Sequence, residues 1–303
     1  LFELRHPTPG QWLLLQQHFD ILDRCCESYR GDSEAVHFVV QHTKRNLVKT
    51  LLPRAQFVRD AQPFQQTYSQ LLASSEDVPP DAYYTMAEIE AAIDAEVALH
   101  PTIATKVNLS TLPGGQLTHE GRSIYALKVS DNVGADEDEP AILIAAQHHA
   151  RELNSPHMVI GAMQRVLAGY ASDPQLQAAV DGYEIYFVPT VNPDGVEHVW
   201  AVDEFWRKNR RDNGGDSFGV DLNRNYPFLW GQCGASTNTN SNTYRGPSAG
   251  SEPETVCMRN LVATLRPEIY LDFHSSGQEV LRTYAPCANV TPTLAGLIER
   301  YVD

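Results

Sequence analysis

Ala141-Ile142-Leu143-Ile144-Ala145-Ala146-Gln147-His148-His149-Ala150-Arg151-Glu152 reads as a buried strand that runs straight into a helical turn. A short apolar run bounded by polar residues is the pattern of a strand covered on both faces, and His149 and Glu152 fall where it ends. Three residues of spacing put both side chains on one face of a turn, so an imidazole nitrogen and a carboxylate oxygen can reach one metal ion. A catalytic zinc takes three protein ligands and keeps a fourth position open. The third ligand is expected from His274 in Tyr270-Leu271-Asp272-Phe273-His274-Ser275-Ser276, again directly after an apolar, strand-like run. His148 neighbours a ligand, but its register points it away.

The surrounding chain is globular in composition. Its 303 residues fit two domains, and 42% hydrophobic content is enough for a sizeable core. No stretch reaches the roughly 18 consecutive apolar residues of a membrane helix, so no membrane span is expected. With 23 basic against 38 acidic residues the formal net charge is −15, which argues against nucleic acid or an anionic membrane as partner. The cysteines, Cys25, Cys26, Cys233, Cys257 and Cys287, have no thiolate zinc spacing. Cys233 and Cys257 flank the polar loop 235–244, and either a disulfide closing it or two buried thiols fits the sequence.

Residues 1 to about 61 alternate between strand and helix patterns. Strands are expected at Leu1–Leu4, Asp20–Tyr29, Ala35–Val40 and Ala55–Arg59, and helices through Trp12–Leu15 and His42–Leu52. Strand-helix-strand-strand-helix-strand is the split βαβ order of a ferredoxin-like α+β domain. Gln62–Ala73 has helical character. Ser74-Ser75-Glu76-Asp77-Val78-Pro79-Pro80-Asp81 is polar, proline-rich and aperiodic, the composition of a linker open to proteolytic nicking. The domain division is therefore 1–75, linker 76–82, and 83–303.

The second domain opens with a capping box, Thr85 as N-cap and Glu88 three residues on, before a helix whose apolar stripe is Ile89, Ile93 and Val97. Strand patterns recur at Thr105–Leu109, Ser123–Val129, Ala141–Ala146, Tyr183–Pro189 and Ile269–Phe273, with helices at Ser155–Leu167 and Glu252–Leu265. Strands separated by helices imply an α/β fold: a mixed, mostly parallel sheet covered by helices on both faces.

Between the two halves of the expected zinc site lie Asn192-Pro193-Asp194-Gly195, Trp206-Arg207-Lys208-Asn209-Arg210 and Gly219-Val220-Asp221-Leu222-Asn223-Arg224-Asn225, in that order. Together these resemble the zinc metallocarboxypeptidases of the carboxypeptidase A/B type, peptidase family M14, over residues 83 to 286. Trp230-Gly231-Gln232-Cys233-Gly234 with Tyr244-Arg245-Gly246 is similar to the secreted bacterial branch. The resemblance implies one zinc per chain on His149, Glu152 and His274, and a secreted or periplasmic monomer acting on peptide and protein C-termini. It also implies that residues 1–75 are an inhibitory pro-domain of a zymogen.

The same resemblance assigns the remaining site residues. Arg207 maps to the arginine that stabilises the oxyanion formed when water attacks the scissile amide. Asn223 and Arg224 map to the pair that holds the substrate's C-terminal carboxylate, for which an amide and a guanidinium fork are chemically suited. Arg151 maps to a contact further along the substrate. The family's general-base glutamate and closing tyrosine are expected beyond residue 303, so the catalytic domain reads as C-terminally incomplete; Glu279 and Glu299 lack the family's context for the base. Two other functions fit the same motifs: a catalytically inactive carboxypeptidase-like binding protein, and an amidase acting on cell-wall or γ-glutamyl peptides.

Overall fold

The computed structural model describes residues 2–5, 8, 11, 14–15, 20–21, 35–39, 45–57 and 83–275, the last range without 136, 232 and 233. The expected helix Gln62–Ala73, the linker, Glu279, Glu299 and every cysteine except Cys257 lie outside the described residues. In the N-terminal region, β1 (Phe2–Arg5), β2 (Asp20–Ile21), β3 (Ala35–Val39) and β4 (Gln56–Phe57) form an antiparallel sheet in the order β2-β3-β1-β4, with α1 (Arg45–Leu51) between the last two strands. Leu4 of β1, Leu15, Val48 of α1 and Leu52 close into a small buried core.

The larger region begins with α2 (Met86–Leu99). Its start is set by the capping box: Glu88 N–H donates to Thr85 Oγ1 at 3.3 Å, and Thr85 N–H donates to Glu88 Oε2 at 2.8 Å. Two otherwise orphaned donors are satisfied, worth about 1 kcal/mol to the helix. Then follow β5 (Ala104–Asn108), β6 (Tyr125–Val129), β7 (Ala141–Ala146), α3 (Ser155–Gly169), α4 (Pro174–Val180), β8 (Glu184–Val188), α5 (Pro193–Ala201), α6 (Pro253–Leu265) and β9 (Ile269–Phe273). The strands form one open sheet in the order β5-β6-β8-β7-β9.

Period-two alternation divides the side chains between two cores. Leu127, Val129, Ala146, Ile185 and Phe187 face one layer, built from Ile89 and Ile93 of α2, Val159, Ile160 and Met163 of α3, and Val196 and Val199 of α5. Ala126, Leu143, Ala145, Tyr186 and Val188 face the other, against Leu222 and against Cys257, Met258 and Leu261 of α6. The sheet is mixed, as expected, with parallel and antiparallel pairings in equal number among the described residues. β5–β6 and β6–β8 are antiparallel while β8–β7 and β7–β9 are parallel. The chain turns back through a short 3₁₀ turn, Leu109–Thr111, and a loop between β5 and β6 rather than crossing over by a helix.

The parallel pairing of β7 with β9 places Ala146 opposite Phe273, so the residues leaving both strands emerge side by side at their C-terminal ends. That crevice is the usual position of a site in an α/β sheet. Among the described residues β9 pairs with β7 alone, and its Ile269, Tyr270 and Leu271 are exposed.

Candidate metal centre

The first two ligand candidates are set by a sharp turn out of β7. Gln147 adopts φ +60°, the left-handed region that non-glycine residues rarely enter, and its side chain is fully buried with Nε2 donating to the Ala150 carbonyl at 3.4 Å. After this reversal His148 and His149 point to different partners. Ala150 N–H donates to the Arg207 carbonyl at 3.0 Å, and Asn192 Nδ2 donates to the carbonyls of His148 (3.1 Å) and Lys208 (3.2 Å). Asn192 also caps α5, its Oδ1 accepting from Gly195 N–H at 3.0 Å. A Cβ at Gly195 would lie 2.6 Å from Asn192 Oδ1 and 2.7 Å from Ala150 Cβ, so this close approach requires glycine.

His149, Glu152 and His274 converge. His149 Nδ1 lies 2.7 Å from Glu152 Oε1, His274 Nδ1 lies 2.9 Å from Glu152 Oε2, and the two Nδ1 atoms are 3.0 Å apart. The outer nitrogens each meet a carboxylate: His149 Nε2 is 3.1 Å from Asp221 Oδ1, and His274 Nε2 is 3.0 Å from Asp272 Oδ2. Each imidazole thus lies between two carboxylates, which only accept when ionised; with a cation held at Nδ1, the proton of each ring would sit on Nε2, toward Asp221 and Asp272. Two Nδ1 lone pairs and a carboxylate are the donor set of a catalytic zinc site. Charge agrees with this fit: three carboxylates, Glu152, Asp221 and Asp272, gather around the two imidazoles with Arg207 against Asp221 and Glu152, and a divalent cation would offset the negative charge that remains.

The pKa directions have one pattern. Burial opposes ionisation of Asp221, but Arg207 and His149 outweigh it and hold the carboxyl well below the usual range. Burial likewise opposes Glu152 and is outweighed by His149 and His274; for Asp272 the outweighing partners are His148 and His274. Burial works against a charged His274, yet hydrogen bonds to Asp272 and Glu152 hold its pKa up to about 10.

Arg207 is buried beside this cluster. Its Nε and Nη2 donate to Asp221 Oδ2 at 3.3 and 3.0 Å, and its Nη1 is 3.8 Å from Glu152 Oε1. Asp221 also caps the 3₁₀ turn Leu222–Arg224, its Oδ1 accepting from Asn223 N–H at 3.0 Å. One carboxylate therefore ties His149, Arg207 and the Asn223-Arg224 turn together. Asn223 is exposed; Arg224 donates from Nε to the Gly234 carbonyl (2.9 Å) and from Nη1 to the Asn223 carbonyl (3.2 Å). Arg151 is half-buried and donates from Nη1 to the Phe205 carbonyl at 3.3 Å.

Asp221 and Asp272 were not singled out by the sequence. A signal existed for each: Asp221 sits between Val220 and Leu222 where an acid has no solvent side, and Asp272 precedes His274 by two, the spacing that puts strand neighbours on one face. His148 faces Asp272 and Tyr226, with its ring stacked 5.8 Å from that of His274.

A second group of ligating side chains supports the Arg207 segment from behind. His119 Nε2 is 2.8 Å from Glu252 Oε2, and Asn209 Nδ2 donates to Glu252 Oε2 (2.8 Å) and Glu254 Oε2 (3.0 Å). Asn209 Oδ1 accepts from Val220 N–H at 2.8 Å, which fixes its amide donors toward the carboxylates. Burial pushes the Glu254 pKa up to about 7. Cys257 is a buried free thiol bonded to the Gln116 carbonyl at 3.3 Å. No described helix is long and apolar enough to cross a membrane.

A family model described as zinc carboxypeptidase, peptidase M14, matches residues 89–299. The zinc carboxypeptidase A 1 of Anopheles gambiae is 32% identical over 219 residues, covering 72% of this chain and 48% of its own. The zinc carboxypeptidase of Saccharothrix mutabilis subsp. capreolus is 40% identical over 138 residues, 45% of this chain and 32% of its own. The chain spans half or less of the length of these curated relatives. The crystal structure of the carboxypeptidase A from Helicoverpa armigera superposes with a TM-score of 0.75 at 25% identity, over 94% of this chain and 73% of that one. Since the family match runs through the sheet and takes in both flanks of the centre, the chain belongs to the zinc carboxypeptidase family.

Proposed function

We propose that the protein hydrolyses the C-terminal peptide bond of peptides and proteins, with one zinc held by His149, Glu152 and His274. The convergence of the two Nδ1 atoms on the Glu152 carboxylate within 3.0 Å carries this reading. Zinc in that position supplies Lewis acidity toward a carbonyl and lowers the pKa of water toward neutrality. The protein's part is charge and placement. Asp221 grips Arg207 through Nε and Nη2, which leaves Nη1 on the Glu152 side, aimed where negative charge develops on the carbonyl oxygen. Asn223 and Arg224 take the substrate's free carboxylate, and the bonds from Arg224 to the Gly234 and Asn223 carbonyls fix its guanidinium plane. Arg151 contacts the substrate further along.

Residues 1–75 are read as a ferredoxin-like pro-domain that inhibits the enzyme until the linker at 76–82 is cut, in a secreted or periplasmic monomer similar to the bacterial branch. The strand order β2-β3-β1-β4 supports this, as does the Helicoverpa alignment, whose 94% coverage includes most of the N-terminal region.

In the full-length protein, metal analysis should give one zinc per chain. Peptides with a free C-terminus should be cleaved and their amidated counterparts should not. Arg224→Ala should reduce kcat/KM on free C-termini by about 10–100-fold, the loss of one or two charge-assisted bonds. Equal rates on free and amidated peptides rule out the carboxylate clamp. Zinc bound with no peptide turnover favours a binding protein, and turnover confined to γ-glutamyl or cell-wall peptides favours an amidase. Cleavage between Ser74 and Asp81 should raise the rate; an unchanged rate removes the inhibitory role.

A further inference from the structure

The hydrogen bonds behind His274 do not stop at Asp272. Asp272 Oδ1 lies 3.1 Å from His148 Nδ1, and His148 Nε2 lies 2.7 Å from Tyr226 Oη. His148 is fully enclosed, so each of its ring nitrogens must be satisfied by protein. The proton directions follow from the one member that can only accept. Asp272 accepts from His274 Nε2–H and from His148 Nδ1–H, and with its proton on Nδ1 the His148 ring presents Nε2 to the Tyr226 hydroxyl. Burial pushes the Tyr226 pKa well up, in keeping with a hydroxyl that stays protonated and donates. Each ring nitrogen along the chain then has a partner, and the three hydrogens run toward Asp272.

We infer that Asp272, locked in place by His148 and Tyr226, is a positioning residue that fixes the tautomer and ring orientation of His274 so that its Nδ1 faces the metal. The inference rests on the zinc reading of His149, Glu152 and His274 and adds the residues that hold the third ligand. On this view His148 is not a ligand, though it adjoins one in sequence. It is the buried spacer through which the turn leaving β7 controls a ligand leaving β9, at the point where the two strands lie in register as Ala146 opposite Phe273. The arrangement parallels the support of His149 by Asp221. The two differ in what stands behind each carboxylate: a guanidinium for Asp221, an imidazole and a phenol for Asp272.

His148, Asp272 and His274 are also close enough together to hold an ion of their own, with His274 bridging two metals. The hydrogen-bonded reading is favoured because each imidazole nitrogen has its own carboxylate oxygen, at 3.1 and 3.0 Å, in a geometry that satisfies all three side chains. The test must separate the two.

In the full-length protein, zinc stoichiometry, the rate of zinc release to a chelator, and the visible spectrum after cobalt substitution should be compared for the parent, Asp272→Asn and Tyr226→Phe. Asn at 272 must turn a donor toward one of the imidazoles. Asp272→Asn should keep one zinc but release it about 10–100-fold faster, with an altered cobalt spectrum, the usual size of a lost outer partner of a metal-bound histidine. Tyr226→Phe removes one hydroxyl and little volume and should release zinc about fivefold faster, the value of one hydrogen bond. It decides the matter if Asp272→Asn does not fold. Release rates within twofold of the parent in the variants that fold overturn the inference. Two zinc ions in the parent and one in Asp272→Asn overturn it in favour of the bridged pair. Failure of the zinc reading itself is a separate result, seen as full zinc retention in His149→Ala.

Discussion

The two flanks of the centre use the same chemistry under different enclosure. On the β7 side the His149 side chain is 4% exposed and rests on Asp221, 0% exposed and gripped by Arg207; on the β9 side His274 is 30% exposed and rests on Asp272, at 26%. A charge-assisted bond gains strength as water is excluded, and the cost of breaking it grows as well. The first flank is thus fixed by a buried ion pair, whereas the second depends on a line of hydrogen bonds reaching in from Tyr226. Similar ligand geometry need not mean similar energetic support.

Removing a ligand tests whether both flanks meet at one ion. His149→Ala and His274→Ala should each abolish stoichiometric zinc and lower peptidase activity by about 10³-fold or more, since the metal contributes several kcal/mol. Metal analysis and activity on one preparation check this, and zinc retained in either variant breaks the pairing. The next effect belongs to the buried flank alone. Arg207→Ala should lower kcat by about 10²–10³-fold with little change in KM, as for loss of an oxyanion donor. A raised KM at constant kcat would make Arg207 a binding residue instead.

Asp221→Ala set against Asp272→Ala addresses the comparison directly. The first removes the bonded carboxylate of a buried guanidinium and should cost about 3–5 kcal/mol of stability in a denaturant melt; the second leaves the enclosed His148 Nδ1 without its acceptor beside a more exposed His274 and should cost less, about 1–3 kcal/mol. Equal losses would show that enclosure does not set the difference. A separate, pH-dependent effect lies beneath the buried flank, at Glu254. Its pKa is raised from an ordinary 4.5 to about 7, so the folded state binds an extra proton between those values. Stability from this group is present at low pH and is lost as pH rises through 7. Glu254→Gln should therefore stabilise the protein at pH 8, by at most about 3 kcal/mol, and have little effect at pH 4. Melts at both pH values decide it, and a stabilisation larger at pH 4 would reverse the sign.

The sequence was most legible where local rules suffice. The Thr85-Glu88 box and the Ile89-Ile93 stripe mark α2 without reference to the rest of the molecule, and Ala141–Ala146 announces a buried strand leading to His149. Joining His149 and Glu152 with His274 needed only the recognition that two apolar runs end in ligand-type residues. What escaped depended on long-range neighbours. The role of Asp272 follows from β9 lying beside β7 in register, and that of Asp221 from a 3₁₀ turn packed against Arg207; neither adjacency is encoded nearby. The short helices Pro174–Val180 and Pro193–Ala201 were missed for another reason, since seven and nine residues show too little periodicity to stand out. The antiparallel pairing of β5 with β6 among the described residues was hidden because strand direction depends on the route of the loop after β5.

The left-handed Gln147 bears on how this protein can be improved. A non-glycine residue there costs about 1–2 kcal/mol, so a thermostability screen guided by backbone strain would choose Gln147→Gly among its first substitutions. That exchange would relax the backbone and also delete the buried side chain whose amide holds the Ala150 carbonyl, freeing the pivot that sends His148 toward Asp272 and His149 toward Glu152. Selection for melting temperature alone would reward a change that loosens the proposed zinc site, so a useful screen at this position scores heat resistance and zinc retention in the same assay.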